Sequence, residues 1–172
     1  MEKTLHLREK KLFEDYYGLL LKVAFRYAGT YEQAVEMTHY GFIKIFHEAA
    51  RVKIGPDVQF KGAFSAWVKR IFIRTLVDKI TSELNLHTPR PIPEDLWKQS
   101  GMRPNLESEA IYIELIKILK GLPVTYRLVF NLHVIDGFSH AEIAKMLGIR
   151  VKDSKYNLLE AKNIAIKQRL HR

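Results

Sequence analysis

Four of the six prolines in this 172-residue chain, Pro89, Pro91, Pro93 and Pro104, fall within one stretch, LHTPRPIPEDLWKQSGMRPN. Proline fixes φ and removes a backbone donor, so such a stretch continues neither a helix nor a sheet ladder. It reads as a linker over residues 86–107. The chain must therefore bury two separate cores, one from residues 1–85 and one from residues 108–172.

Both flanking segments repeat apolar residues at three- and four-residue spacing, the period of an amphipathic helix. Leu12, Tyr16, Leu19, Leu20 and Val23 mark one helix, and Val35, Met37, Phe42, Ile45 and Phe46 a second. Trp67, Ile71, Leu76 and Ile80 mark a third. Beyond the prolines, Ile111, Leu115, Ile118 and Leu119 form a stripe that ends at Gly121, before a Leu122-Pro123 pair that opens the next helix. No segment alternates with period two. The expected fold is all-α: two small helical domains joined by the proline-rich linker, with no internal repeat.

The most sharply punctuated segment is FSHAEIAKMLGI, residues 138–149. Ser139 suits an N-cap, and Glu142 three residues on completes a capping box. Ile143, Met146 and Leu147 share one face, Ala144 leaves room for a crossing helix, and Gly148 permits the left-handed turn that stops the helix, with Ile149 at the corner. The next helix, roughly 152–170, turns Leu158, Ala161 and Ala165 inward and presents Lys152, Lys155, Tyr156 and Asn157 near its start. This is a helix-turn-helix, whose second helix offers its early side chains to a DNA major groove. An ordinary helical hairpin carries the same cap and glycine.

Charge bears on the choice. The formal net charge is +9, and from Lys145 onward eight basic residues stand against two acidic ones. Such an excess suits a segment lying along phosphates, and also suits a solvated terminal helix. The chain has no cysteine, which excludes disulfides, thiol nucleophiles and thiolate metal sites. It has neither a signal peptide at its start nor an apolar run long enough to span a bilayer, so no membrane insertion and a cytoplasmic location are expected.

The longer string LPVTYRLVFNLHVIDGFSHAEIAKMLGI, residues 122–149, resembles the promoter-reading C-terminal domain of extracytoplasmic-function sigma factors, of the sigma-70 family. The first segment resembles that family's other domain. FEDYYGLLLKVAFRY (13–27) looks like its opening helix, and QAVEMTHYGFIKIFHE (33–48) like the helix that grips the RNA polymerase clamp. AFSAWVKRIFIRTLVDKI (63–80) looks like the helix that melts and holds the upstream promoter element. The resemblance implies a factor that binds core RNA polymerase and both double-stranded and melted promoter DNA, and that an anti-sigma factor restrains. It implies polymerase contacts at Glu36, Tyr40, Lys44 and Phe46.

On the melting helix, Phe64 and Trp67 supply π-faces and Lys69, Arg70, Arg74 and Lys79 supply charge, as stabilising unstacked bases requires. The same two rings are also ordinary core residues. On the reading helix, Lys155, Tyr156 and Asn157 suit base edges, with Arg150, Lys152 and Lys162 on phosphates. Several positions depart from the family pattern. Arg74 stands for an asparagine, Val35 and His39 for a glutamate and a glutamine, Arg150 for the serine cap, Lys152-Asp153 for glycine-threonine, and Glu160 for an arginine. Asp153 and Glu160 would oppose phosphates.

A catalytic site is not legible. Glu36 and His39 have di-iron spacing without a second copy, and His47 lies about 80° off the face of His39 at 100° per residue. No P-loop, G-x-S-x-G or H-E-x-x-H occurs, so no enzyme, cofactor or metal is expected. Two other readings remain. One is a plain helix-turn-helix regulator, which needs a dimer face that no heptad run supplies; the other is a divergent paralogue acting as an anti-sigma decoy.

Overall fold

The computed structural model describes residues 2–52, 61–83 and 106–170, which form helices and short connections with no strand among them. The chain divides into two compact units, Met1–Gly101 and Met102–Arg172. The proline-rich stretch itself lies outside the described residues, except that positions 106 and 107 already belong to a helix. No described helix is long and apolar enough to cross a membrane.

The first unit packs three helices, α1 (Glu2–Tyr27), α2 (Tyr31–Val52) and α3 (Lys61–Glu83), each against the other two. The α1–α2 turn is fixed by its own polar groups. Thr30 Oγ1 accepts the Gln33 N–H at 3.1 Å, and Gln33 Oε1 accepts the Gly29 N–H at 3.0 Å. Two donors around the start of α2 are thereby satisfied. The core holds Leu20, Ala24, Ile45, Val68, Phe72 and Leu76, all fully buried. Thr38 can join them because its hydroxyl donates to the Ala34 carbonyl, 2.7 Å away.

An aromatic layer of Phe13, Tyr17, Phe42 and Phe46 spans α1 and α2, with ring centroids 4.7–6.3 Å apart. Gly41 lets α2 approach α3 closely, for a Cβ there would run into the ring of Phe72. The expected stripe on α3 is rotated. Its buried apolar residues are Phe64, Val68, Phe72, Ile73, Leu76, Val77 and Ile80, while Trp67 and Ile71 are half-buried at the edge. The helix is apolar around more than half its girth, and neighbours on two sides select the face.

The second unit holds α4 (Leu106–Lys120), α5 (Val124–Phe130), α6 (His140–Leu147) and α7 (Val151–Leu170). Gly121 ends α4 as expected, and Pro123 precedes α5. On α4 the buried residues are Ile116 and Leu119, whereas Ile111 is 71% exposed, so the predicted stripe is again displaced. Helix α5 runs on into one π-helical turn, Asn131–Ile135, closed by Asp136 N–H donating to the Asn131 carbonyl. Gly137, at φ 77°, turns the chain so that Phe138 drops into the core. Tyr126 and Arg127 stand on α5, and Arg127 is buried with its Nε unpartnered. Burial and that guanidinium together push the Lys120 ammonium down to about 7.

Candidate nucleic-acid interface

The helix-turn-helix is built locally. Ser139 Oγ accepts the Glu142 N–H at 3.2 Å while Glu142 Oε2 accepts the Ser139 N–H at 2.9 Å, so the capping box is complete. Gly148 adopts φ 66°, ψ 30° and ends α6, and the Ile149 N–H returns to the Ala144 carbonyl at 3.0 Å. Ile143 and Ala144 are buried, and α7 packs on both α5 and α6.

Helix α7 starts without the hydroxyl cap of α6. Its third residue, Asp153, serves in part instead, with Oδ2 accepting the Arg150 N–H at 3.3 Å. The Arg150 guanidinium then grips the carboxylate through Nε at 2.8 Å and a second nitrogen at 3.0 Å. This two-point pairing holds the Asp153 carboxyl below its usual range and the Arg150 group above its own. The Arg150 side chain stays 70% exposed beside this pairing, and the guanidinium offsets the Asp153 charge that the sequence sets against DNA.

A second polar tie crosses the motif. His140, at the start of α6, shares a hydrogen bond of 2.9 Å with the buried Ser154 of α7, and its ring stacks on that of His133, 4.1 Å between centroids. His133 donates Nδ1–H to the Phe138 carbonyl at 2.8 Å. Burial, then His133, Lys155 and Lys162, hold His140 below the usual histidine range. Sequence spacing carries no sign of this tie, because the contact joins residues 14 positions apart.

Of the expected reading residues, Lys152, Lys155, Tyr156 and Lys162 are exposed. Asn157 is half-buried, because it immediately precedes the inward-facing Leu158. At 100° per residue, Tyr156, Leu159, Asn163, Ile166 and Leu170 share an arc of about 80°, roughly 150° from the buried Ser154, Leu158 and Ala161. Tyr156, Leu159, Ile166 and Leu170 are all exposed. The expectation of no spare heptad face is thus corrected: two short heptads run along the outside of α7.

In the first unit, a groove of about 490 Å³ between α2 and α3 is lined by Tyr40, Lys44, Ile71, Arg74, Asp78 and Lys79, among others. Residues that the sequence assigns to two different surfaces meet here. Lys79 Nζ lies 2.9 Å from Glu36 and 2.9 Å from Glu83, with its side chain 16% exposed. Those two carboxylates hold the ammonium above its usual range. Lys79 is therefore tied down and does not stand ready for a phosphate. The Tyr40 ring carries Lys79 Nζ at 5.4 Å and Lys44 Nζ at 5.9 Å, both in cation–π range.

Phe64 is a core residue, packed edge-on to Tyr16 and stacked on Trp67 at 5.7 Å, which leaves it unable to stack on a base. Trp67 remains half-exposed, Lys69 likewise, and Arg70 and Arg74 are exposed on one face of α3. Phe46 is half-buried against Phe42. Among the described residues no group of three or more histidine or acidic side chains converges to hold a metal ion.

Two family models match the chain: sigma-70 region 2 over residues 12–84, and the sigma-70 region 4 model over residues 112–163. The first runs from within α1 to the end of α3, and the second covers most of α4 through the first two-thirds of α7. Over 145 residues the chain is 23% identical to the ECF RNA polymerase sigma factor SigE of Mycolicibacterium smegmatis. The match takes in 82% of this chain and 53% of that protein, so the chain spans about half the length of this curated relative.

Proposed function

The chain belongs to the sigma-70 family, and from that premise we propose that it is a factor of the extracytoplasmic-function branch that binds core RNA polymerase and directs it to promoters. The observation that carries this reading is the pairing, in one chain and in the family's order, of the α2–α3 groove with a helix-turn-helix whose first helix is capped at both ends. A plain regulator would have no use for the first unit. Action is by binding, in the cytoplasm where polymerase works, and without a cofactor.

In this reading α2 faces polymerase through Glu36, Tyr40 and Lys44, with Phe46 as a partly buried prop. Helix α3 follows a melted strand: Arg70 and Arg74, one turn apart, track its phosphates, Lys69 adds charge, and the open face of Trp67 receives a base. Helix α7 enters the duplex. Lys155 suits guanine O6 and N7, Tyr156 suits a thymine methyl, and Lys152 and Lys162 take phosphates. Asn157 contributes to adenine reading only if its half-buried amide turns outward. Glu160 is left as the carboxylate that weakens duplex binding, so the first unit's contacts add avidity once polymerase holds both.

Reconstitution tests the proposal. The full chain should co-elute with core polymerase in gel filtration, and the complex should select and transcribe from particular duplexes. Lys44→Glu should weaken core binding without unfolding the chain. Lack of co-elution, or unchanged affinity in both Lys44→Glu and Glu36→Lys, would overturn the assignment.

A further inference from the structure

One polar tie joins α6 to the helix proposed to read DNA. His140 Nδ1 lies 2.9 Å from Ser154 Oγ, and Ser154 is fully buried on α7. The bond can run in either direction. A serine hydroxyl donates to a bare ring nitrogen and accepts from a protonated one, so the tie holds whether or not His140 carries a charge. Its neighbouring ring is less adaptable. His133 Nδ1 lies 2.8 Å from the Phe138 carbonyl, and a carbonyl only accepts, so that nitrogen keeps its proton in both the neutral and the charged ring.

The two rings stack with centroids 4.1 Å apart and planes 19° from parallel. Such a stack accommodates one charge and resists two, because a second imidazolium would lie face to face with the first. The π turn that packs on α6 brings His133, and Asp136 closes that turn through its backbone N–H. Helix α7 brings Lys155 and Lys162. On α6 itself, Glu142 turns its carboxylate back onto Ser139. Burial, the facing ring and the two lysines all hold His140 toward its neutral form in the free chain.

Lys155 and Lys162 are the side chains assigned above to a guanine edge and a phosphate. A docked duplex therefore brings negative charge to the cluster that keeps His140 neutral. We infer that His140 is a proton-linked positioning residue of the duplex face: it fixes α7 through Ser154, and it takes up a proton as phosphates close on Lys155 and Lys162. The inference rests on the DNA-reading role proposed for α7.

Two opposite pH dependences follow. Without DNA, the unfolded chain protonates this histidine more readily than the folded one, so stability falls as pH drops from the ordinary value of 6.5 toward the depressed folded value. With DNA, the complex holds the extra proton, so binding tightens as pH drops through the same range. A nearby opposite charge shifts a titrating group by about one unit or more, which sets the expected gain at about five- to tenfold from about pH 8 to about pH 5.5.

Fluorescence anisotropy of the full chain with a labelled duplex of random sequence tests this, since phosphate contacts carry no sequence information. His140→Gln retains a side chain able to bond Ser154 but takes up no proton, and should lose most of the acid gain. The logarithmic salt slope should steepen by about one in acid for the wild type, as for one further phosphate contact, and stay level in His140→Gln. His133→Gln removes the facing ring and should move the gain to higher pH. Ser154→Ala should weaken binding at every pH yet keep the gain, which separates positioning from protonation. A check without substitution is the His140 imidazole signal in NMR, whose midpoint should rise by about one pH unit when duplex saturates the wild-type chain.

An acid gain in His140→Gln equal to that of the wild type, or a His140 midpoint that duplex leaves in place, would overturn the proton uptake. Ser154→Ala binding as tightly as the wild type would overturn the positioning, and an unmoved gain in His133→Gln would overturn the part given to the stack. A chain that binds no duplex at any pH would sink the promoter-reading proposal together with this inference. Binding without proton linkage sinks the inference alone.

Discussion

Replacing Gly41 with alanine sets two known effects against each other. Alanine in a helix interior gains about 0.8–1 kcal/mol over glycine through backbone entropy. Position 41 is buried in the middle of α2, however, and a Cβ there meets the Cδ2 and Cε2 carbons of Phe72 well inside contact distance. Phe72 is fully buried among α3 neighbours, so its ring has no open side to swing into. Overpacking of a filled core costs about 1–3 kcal/mol. The net effect expected is destabilisation by about 1 kcal/mol, the steric cost exceeding the propensity gain.

The assay needs a probe confined to the first unit. Trp67 stands there on α3, and the chain's other tryptophan is Trp97, so Trp97→Phe leaves a single indole that reports this unit. In that background Gly41→Ala should lower the unfolding midpoint by roughly 4–8 °C, the shift that ~1 kcal/mol produces in a small domain. Phe72→Leu removes the obstructing ring edge at a cost of its own. Added to Phe72→Leu, Gly41→Ala should become neutral or stabilising, a coupling of about 1–2 kcal/mol. A Gly41→Ala protein more stable than wild type by the full propensity gain would refute the reasoning, for it would show that α2 and α3 do not cross tightly at this point.

Ser139→Ala should cost about 1 kcal/mol of second-unit stability, the usual worth of an N-cap, measured by urea unfolding of the full chain with a circular-dichroism readout. Arg74→Asn should lower affinity for single-stranded promoter DNA and reduce its logarithmic salt slope by about one, evenly across sequences; an effect at one base position alone would indicate base readout. Lys120 has a folded pKa of about 7, below its unfolded value, so between the two the unfolded chain holds the extra proton and stability climbs as pH rises. Lys120→Met should flatten that climb over about pH 7 to 10, and an unchanged pH profile would show that the ammonium is not buried as described.

Features set by neighbours in sequence were legible, and features set by neighbours in space were not. The cap at Ser139, the stop at Gly148 and the break at Gly121 are local bargains between a side chain or a missing Cβ and the adjacent backbone, and each lies where the pattern puts it. Helix faces were harder. Apolar spacing placed α3 and α4 correctly along the chain but chose the wrong edges, since Trp67, Ile71 and Ile111 are apolar and yet sit toward solvent. On α7 the inward residues Leu158 and Ala161 satisfy one helical stripe, and a second stripe on the opposite side is easily passed over once the first is found. The charges were least legible. Nothing in the sequence says that Lys79 is held by a carboxylate 43 residues away; the Arg150–Asp153 pair, by contrast, has the i,i+3 spacing of neighbours on a helix and was legible.

The tie at Lys79 changes how substitutions in the first unit must be read. Glu36 belongs to the helix assigned to polymerase and Lys79 to the helix assigned to DNA, yet they form one contact, with the Tyr40 ring lying against both Lys79 and Lys44. Glu36→Lys therefore does more than reverse a charge toward polymerase: it sets two ammonium groups together and loosens Lys79 from α2. Glu83 still holds that ammonium from the other side, so the lysine shifts rather than leaves. A loss of promoter affinity in Glu36→Lys would accordingly be no evidence that Glu36 touches DNA. Lys44→Glu leaves the Lys79 pair intact, and of the two it is the cleaner measure of the polymerase face. If Lys44→Glu impairs core binding alone while Glu36→Lys impairs both core and DNA binding, the two surfaces are joined through Lys79, and the groove between α2 and α3 acts as one unit.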